Sequence, residues 1–341
     1  MPVIRTSVII TAHNRPDFLR EALESIRGQT RPPHEMIVVD DGSTVDLSPA
    51  LEGIKGVRLV RQENAGQQAA RNHGSRLATG DWLLFLDDDD KYRPDHIETL
   101  ARLLEVGSPD IIFSNFLRFS DEGVEEESMY ARAPGFFSDR EIESEAFVIR
   151  QGWPVANQLR FYLLYPSHTA ISTKHFRAMG GFDERVRGVK CEDIEFSTRA
   201  TNGAAVGFSL APTVLYRMHP GNSVANPLKR EVGRLAIWSW VLKSVDLSDA
   251  ERAEVEAYIE DRALPAFRAA FLLRDRTAMA FARRRMKAGD WMGPKRIVRS
   301  LWAAARFREP TFLPKSALDI LAAPGFTPFV DTPIGRAVAE A

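Results

Sequence analysis

Trp82-Leu83-Leu84-Phe85-Leu86 runs directly into Asp87-Asp88-Asp89-Asp90, and this junction constrains the fold more than any other stretch. A short, uninterrupted apolar run suits a strand buried on both faces of a parallel sheet. The aspartates then fall where that strand ends, and in open α/β sheets ligands bind outside the carboxyl ends of the strands. Adjacent carboxylates repel one another, and burying even one without a partner is costly. Oxygen ligation of a divalent cation, Mg²⁺ or Mn²⁺, is the simplest relief. A solvated acidic turn is the alternative; the direct fusion of the acids to an apolar strand argues against it.

The flanking sequence repeats one unit. Ser7-Val8-Ile9-Ile10 reads as a buried strand ending in the polar turn Thr11-Ala12-His13-Asn14-Arg15. Pro16 suits the first turn of a helix whose stripe is Phe18, Leu19, Ala22, Leu23 and Ile26, and Gly28 with Pro32-Pro33 stops it. Met36-Ile37-Val38-Val39 is a second strand ending in Asp40-Asp41-Gly42-Ser43, and residues 56–60 form a third. Helices are predicted from about Gln67 to Ala78 and from Pro94, followed by a short strand at Ile111-Ile112-Phe113. Strands alternating with helices at this spacing imply a parallel sheet covered on both faces, joined by right-handed crossovers. The first, second and fourth strands bring polar ends to one edge. No Gly-x-Gly-x-x-Gly follows the first strand and no Gly-x-x-x-x-Gly-Lys-Ser/Thr occurs, so phosphates need another partner, for which a metal on Asp87 and Asp89 is the obvious candidate.

Charge and cysteine content narrow the function classes. A net charge of −1 gives no bias toward nucleic acid. The single Cys191 excludes an intrachain disulfide and fits a reducing compartment. No apolar run is long enough to span a bilayer, and the N-terminus lacks a signal-peptide core, so a cytoplasmic location is expected.

The ordered set Ser7–Arg15, Val39-Asp40-Asp41-Gly42-Ser43, Asn64-Ala65-Gly66, Ala70-Arg71-Asn72-His73-Gly74, Ala78-Thr79-Gly80-Asp81 and Phe85–Asp90 resembles the family 2 glycosyltransferases of the GT-A fold. The likeness covers roughly the first 220 residues. It implies a Rossmann-like α/β catalytic domain with a mostly parallel central sheet over 1–225, divided into a nucleotide-sugar half (1–115) and an acceptor half (116–225), with residues 226–341 forming a mainly helical region. It also implies a nucleotide-diphosphate-sugar donor, a divalent metal and inversion at the anomeric carbon, with UDP-sugars favoured. By position, Thr11, Asn14, Arg15 and Asp41 match the residues lining the base, and Arg71 matches the basic residue near base or diphosphate. Asp87 and Asp89 match the Asp-x-Asp pair, with Asp89 as the direct metal ligand, Asp87 facing ribose or metal, and Asp88 assigned to the donor side or to support.

A second constellation follows at Gly180-Gly181-Phe182-Asp183-Glu184 and Cys191-Glu192-Asp193. The resemblance makes Asp193 the general base, with Glu192 and Gly181 on the acceptor side; His168, in the strand that enters the site, is either a further acceptor contact or a hydrogen-bonded structural histidine. Acids at a helix N-terminus are also favoured by the dipole. Residues 166–172 read as a strand entering the site. Tyr216-Arg217-Met218-His219 resembles the segment that supplies a third metal ligand or a phosphate contact, with His219 as the ligand and Arg217 and Ser223 as weaker phosphate contacts.

The last third is unlike the rest. Residues 262–308 hold thirteen Arg or Lys but only two acids, Asp275 and Asp290. Residues 295–308 have the spacing of a basic amphipathic helix, for which a peripheral membrane contact and a packed helix with a solvated basic face are the competing expectations. The acceptor is open between a glycan, a lipid-linked molecule and a small molecule. Two other functions compete with sugar transfer: nucleotidyl transfer on a related scaffold, and a sugar-nucleotide-binding module without catalysis.

Overall fold

The computed structural model describes residues 4–137, 147–221, 226–286, 314–322, 327 and 331–340. In chain order the strands are β1 (Thr6–Ala12), β2 (Glu35–Asp41), β3 (Val57–Gln62), β4 (Trp82–Asp87), β5 (Lys91–Tyr92), β6 (Ile111–Ser120), β7 (Gly123–Val124), β8 (Phe147–Gln151), β9 (Thr169–Ser172) and β10 (Ala205–Arg217). The longer helices of the N-terminal part are α1 (Pro16–Arg27), α2 (Gln67–Leu77) and α3 (His96–Val106), followed by the short α4 (Val155–Arg160) and α5 (Thr173–Ala178) and then α6 (Asp193–Thr201). Beyond them lie α7 (Pro227–Ser244), α8 (Asp249–Leu272), α9 (Arg276–Arg283), α10 (Lys315–Ala322) and α11 (Pro333–Glu340).

All ten strands form one sheet along the path β3-β2-β1-β4-β9-β6-β10-β5, with β7 on β6 and β8 on β10. The first four are parallel, as the apolar runs predicted. β9 enters between β4 and β6 and runs against both, so the sheet is mixed rather than parallel throughout. In-register pairing of Thr11 with both Val39 and Asp87, and of Ala12 with Asp40, brings the polar ends of β1, β2 and β4 to one level.

Three stretches differ from their sequence expectation. β6 continues seven residues past Phe113 because β10 pairs along its length. β10 tolerates Pro212 through shifts of register between Ser209 and Val214, where an irregularity relieves the missing donor. Residues 166–168 form a 3₁₀ turn, and the strand begins only at Thr169.

Two packed cores position the site. The larger contains β1, β2, β4 and β6 with the helices that cover them. Within it Phe85 of β4 meets Phe182 edge-on at 5.1 Å, and Phe182 stacks on Phe196 of α6 at 3.8 Å. This aromatic column joins the strand that delivers the aspartates to the helix that begins at Asp193. The second core includes Trp238 and Trp240 of α7, packed with Val186, Val189, Cys191 and Ile194, so it straddles the boundary expected at 225/226. α7 comes so close that a Cβ on Gly233 would lie 2.6 Å from the Lys190 carbonyl oxygen. Trp240 Nε1 also donates to Asp183 Oδ2 at 3.1 Å. The C-terminal helices therefore brace the loop leading to Glu192-Asp193. No helix among the described residues is long and apolar enough to cross a membrane.

Candidate active site

The polar strand ends surround a cleft of about 350 Å³ lined by Thr11, Arg15, Asp41, Asp87, Asp89 and Lys190, with Gln67 and Tyr216 also at its wall. Its left-hand wall is set by a turn chemistry that begins at β2. Asp41 accepts from the backbone N–H of Ala65 at 2.7 Å and of Gly66 at 2.9 Å, and from Gln62 Nε2 at 2.9 Å, so this carboxylate anchors the loop into α2. Gly42 next to it has φ +71, and a Cβ there would lie 2.6 Å from the Asn64 amide nitrogen. Asn14 takes the left-handed conformation at φ 59, and its Oδ1 accepts from the Thr44 N–H at 2.7 Å. It braces the turns after β1 and β2 and does not line the cleft, whereas its neighbours His13 and Arg15 do.

The four aspartates divide by their partners. Asp87 receives Arg71 at 2.5 Å and the Thr11 hydroxyl at 3.2 Å. Burial opposes its charge, but Arg71, Arg15 and Thr11 outweigh that and hold its carboxyl below the usual range. Asp89 is bound by Arg15 Nη1 at 2.6 Å and lies 3.0 Å from His219 Nε2. Asp88 is fully buried, paired with Arg15 and receiving the His13 N–H at 3.1 Å. Burial pushes its carboxyl up to about 7. Asp88 is therefore a support beneath the turn and not a donor contact, because the chain leaves extended geometry at Asp87 and turns it inward. Asp90 accepts from the Arg217 N–H at 2.9 Å, and burial together with Asp89 and Asp87 raises its carboxyl well above the usual range.

Oxygens of Asp87, Asp89 and Asp90 lie within 4.8 Å of one another and form the candidate cation site. The expectation placed His219 in that set with Asp87 and Asp89. Instead, Asp90 completes the oxygen cluster, and His219 approaches through Asp89 while meeting Phe18 edge-on. An all-carboxylate set is what a hard divalent cation prefers. Arg217 gives its Nη2 to Glu21 at 2.7 Å and its Nε to the Asp89 carbonyl at 2.8 Å.

Arg71 is neither a solvated helix arginine nor a cleft residue. It is 2% exposed, lies beneath Asp87, and faces the Phe182 ring at 5.3 Å. Its helical position and positive charge were legible, but its burial depends on the aromatic column beneath it.

Across from the aspartates, Cys191 takes a left-handed backbone at φ 68 and α6 starts at Asp193. Gln67, at the start of α2, donates to Glu192, and the Tyr162 hydroxyl donates to Asp193. Burial and the neighbouring Glu192 charge push the Asp193 carboxyl up to about 7, with the Tyr162 hydrogen bond acting in the opposite direction. Glu192 is raised as well, chiefly by burial, with Arg71 and Lys190 opposing. Cys191 is buried and its thiol is pushed up to about 12, which fits a packed residue and not a nucleophile.

His168 and Gly181 do not reach this space. His168 is 1% exposed, stacked on Phe116 at 4.8 Å, accepts from the Tyr165 N–H, and is held neutral by burial at about 3. Gly181 is buried against Asn72, Phe176 and Val338, in a left-handed conformation at φ +75. Tyr162, Lys190, Gln67 and Tyr216 were not foreseen. Lys190 lines the cleft, sits beside Glu192-Asp193, and makes no ion pair among the described residues. Its place beside the acid pair was the only signal available. Asn222, Ser223 and the stretch 295–308 lie outside the described residues.

Residues 7–164 match the family described as glycosyl transferase family 2. An uncharacterized glycosyltransferase of Rickettsia felis is 36% identical over 138 residues, which is 39% of this chain and 22% of that protein. The uncharacterized glycosyltransferase YwdF of Bacillus subtilis is 39% identical over 114 residues, 33% of this chain and 42% of its own. The chain thus spans less than half the length of these curated relatives. Among solved structures, TarS 1–349 of S. aureus in complex with UDP superposes with a TM-score of 0.55 at 18% identity, covering 76% of this chain and 70% of that one. The same protein in complex with UDP-GlcNAc gives 0.54 at 16% identity over 92% and 83%. This likeness supports the mixed α/β fold with its helix-flanked central sheet.

Proposed function

We propose, from the match of residues 7–164 to glycosyl transferase family 2, that the protein transfers a sugar from a nucleoside-diphosphate donor to an acceptor hydroxyl by a single inverting displacement. The observation that carries this reading is a second acid pair beside the cleft that Asp87 and Asp89 line: the cleft residue Gln67 donates to Glu192, which feels the Asp87 charge, and Asp193 follows it. A UDP-sugar is favoured, in line with the UDP and UDP-GlcNAc named in the TarS complexes.

In this mechanism Thr11, Arg15 and the loop held by Asp41 receive the nucleoside, and Asp87, Asp89 and Asp90 would hold a Mg²⁺ or Mn²⁺ ion, which would supply Lewis-acid stabilisation of the departing diphosphate. Lys190 adds a positive charge from the opposite wall. The acceptor oxygen attacks the anomeric carbon and the bond from that carbon to the phosphate oxygen breaks. The acceptor's proton passes to the Asp193 carboxylate, and the nucleoside diphosphate departs. A base near pH 7 is well matched to this task. Glu192, held by Gln67, keeps the negative field around Asp193 that helps to raise it. No enzyme nucleophile is required.

Donor breakdown tests the reading without knowledge of the acceptor. The protein is incubated with UDP-, GDP- and dTDP-sugars, with Mn²⁺, with Mg²⁺ and with chelator, and free nucleotide is measured. Release of nucleoside diphosphate from one donor that stops with chelator supports the proposal. Release of pyrophosphate from a nucleoside triphosphate, or no metal-dependent nucleotide binding at all, would contradict it.

A further inference from the structure

We infer that the turn between α8 and α9 is a docking surface for an anionic lipid bilayer. Leu272, the last residue of α8, is 65% exposed, the most exposed of the large hydrophobic side chains among the described residues. Arg268 lies one helical turn before it on the same face, and Arg274 and Arg276 follow it around the turn into α9; all three are exposed. None of the three makes an ion pair among the described residues, whereas Arg262 earlier in α8 is held by Glu231 and Asp261. The one acid of the turn, Asp275, is 1% exposed and is consumed in capping α9 through the Ala278 N–H at 2.8 Å. The surface there is consequently an exposed leucine ringed by unpaired guanidiniums. The favourable helix dipole accounts for cations near the end of α8. It accounts neither for the exposed leucine nor for Arg276 at the start of α9, where a cation opposes the dipole.

The placement gives this surface a use. α8 runs antiparallel to α7: Arg252 donates to the Leu242 carbonyl, Tyr258 meets Trp238, and Arg262 approaches Glu231. The α8–α9 turn therefore projects at the end of the bundle where α7 begins, the end that follows closely on Gly221 at the cleft wall. An apolar side chain among arginines matches a layer of anionic headgroups over acyl chains, with each basic residue near such a surface contributing on the order of 1 kcal/mol. Docking there would hold the cleft end of the molecule toward the bilayer.

The test is co-sedimentation of the full chain with vesicles of phosphatidylcholine alone or with phosphatidylglycerol added. Binding is expected only to the anionic vesicles and should weaken as salt rises. Replacing Arg268, Arg274 and Arg276 by Gln should lower the partition coefficient by about fivefold per arginine. Leu272→Asp should lower it further than Leu272→Phe. Nucleotide binding, measured in parallel, reports that each variant is folded. Wild-type protein that ignores anionic vesicles, or an Arg268/Arg274/Arg276 variant that binds them as wild type does, would overturn the inference; the second result would assign lipid binding to another basic stretch.

Discussion

Asp87, which lines the cleft, and Asp193, next to the Glu192 that the cleft residue Gln67 holds, are both half-buried carboxylates, yet their surroundings drive them in opposite directions. Asp87 has a buried arginine beneath it, a second arginine alongside and a threonine hydroxyl within reach, and stays below the ordinary carboxylate range. Burial and the acidic neighbour Glu192 raise Asp193 to about 7, against its uncharged partner Tyr162. The difference teaches how one cleft supports two tasks. Asp87 is kept ionised by guanidiniums from β1's following turn and from α2, whereas the acid that must accept a proton near neutrality has no such ion pair. Titratable groups pushed apart in this way are what assigns acid–base roles in a site.

Substitutions break this contrast most directly at Asp193. Asp193→Asn should cost about 10²–10⁴ in turnover, measured as acceptor-dependent product formation. It should also stabilise the fold. The raised carboxyl binds its proton more tightly in the folded state, so its contribution is present below the ordinary range near pH 4 and is lost as pH rises through about 7. At pH 8 the Asn variant should gain about 1–2 kcal/mol in denaturant melts.

Arg71→Met attacks the other side. It strands Asp87 without its principal partner and should cost about 3–5 kcal/mol of stability. A variant as stable as wild type would show that Asp87 does not depend on that pair. Phe85→Ala removes the aromatic link between the two sides and should cost a similar amount, about 3–5 kcal/mol in thermal melts. Gly233→Ala should cost less, about 1–3 kcal/mol, as the added methyl meets the Lys190 carbonyl. Because that shift moves the Lys190-Cys191-Glu192-Asp193 segment, turnover should fall more than nucleotide affinity. The smallest effect is expected for Tyr162→Phe. The wild-type rate should rise with pH through about 7, as the base loses its proton, and removal of the Tyr162 hydrogen bond should move that limb upward by roughly half a unit to one unit.

The N-terminal half was legible in the sequence because local signals there agree. Apolar runs such as Ser7-Val8-Ile9-Ile10 and Trp82–Leu86 end in polar turns, and α1 begins at Pro16 and ends at Arg27, as its stripe and Gly28 imply. The acids that meet in the cleft were legible too, since Asp41 and Asp87 end their strands and Asp89 follows two residues on. Orientation beyond a strand's last residue was not. Asp90 joins Asp87 and Asp89 where strict alternation would turn it away, because the chain turns after Asp87. Nor could spacing reveal the antiparallel insertion of β9, a non-local pairing. Burial of Arg71 and His168 depends on Phe182 and Phe116, which are distant in sequence. Lys190 and Tyr162 join the site through packing against α7 and α6, for which no short motif exists.

The central claim is that the two acid sets act separately, one on the nucleotide and one on the acceptor. Calorimetric titration of UDP with and without Mn²⁺ into Asp89→Ala and Asp193→Asn tests it most directly. The account predicts that Asp193→Asn binds as wild type and retains its metal dependence, while Asp89→Ala binds more weakly and responds little to metal. Equal loss of metal-dependent binding in both variants, or in neither, would contradict it.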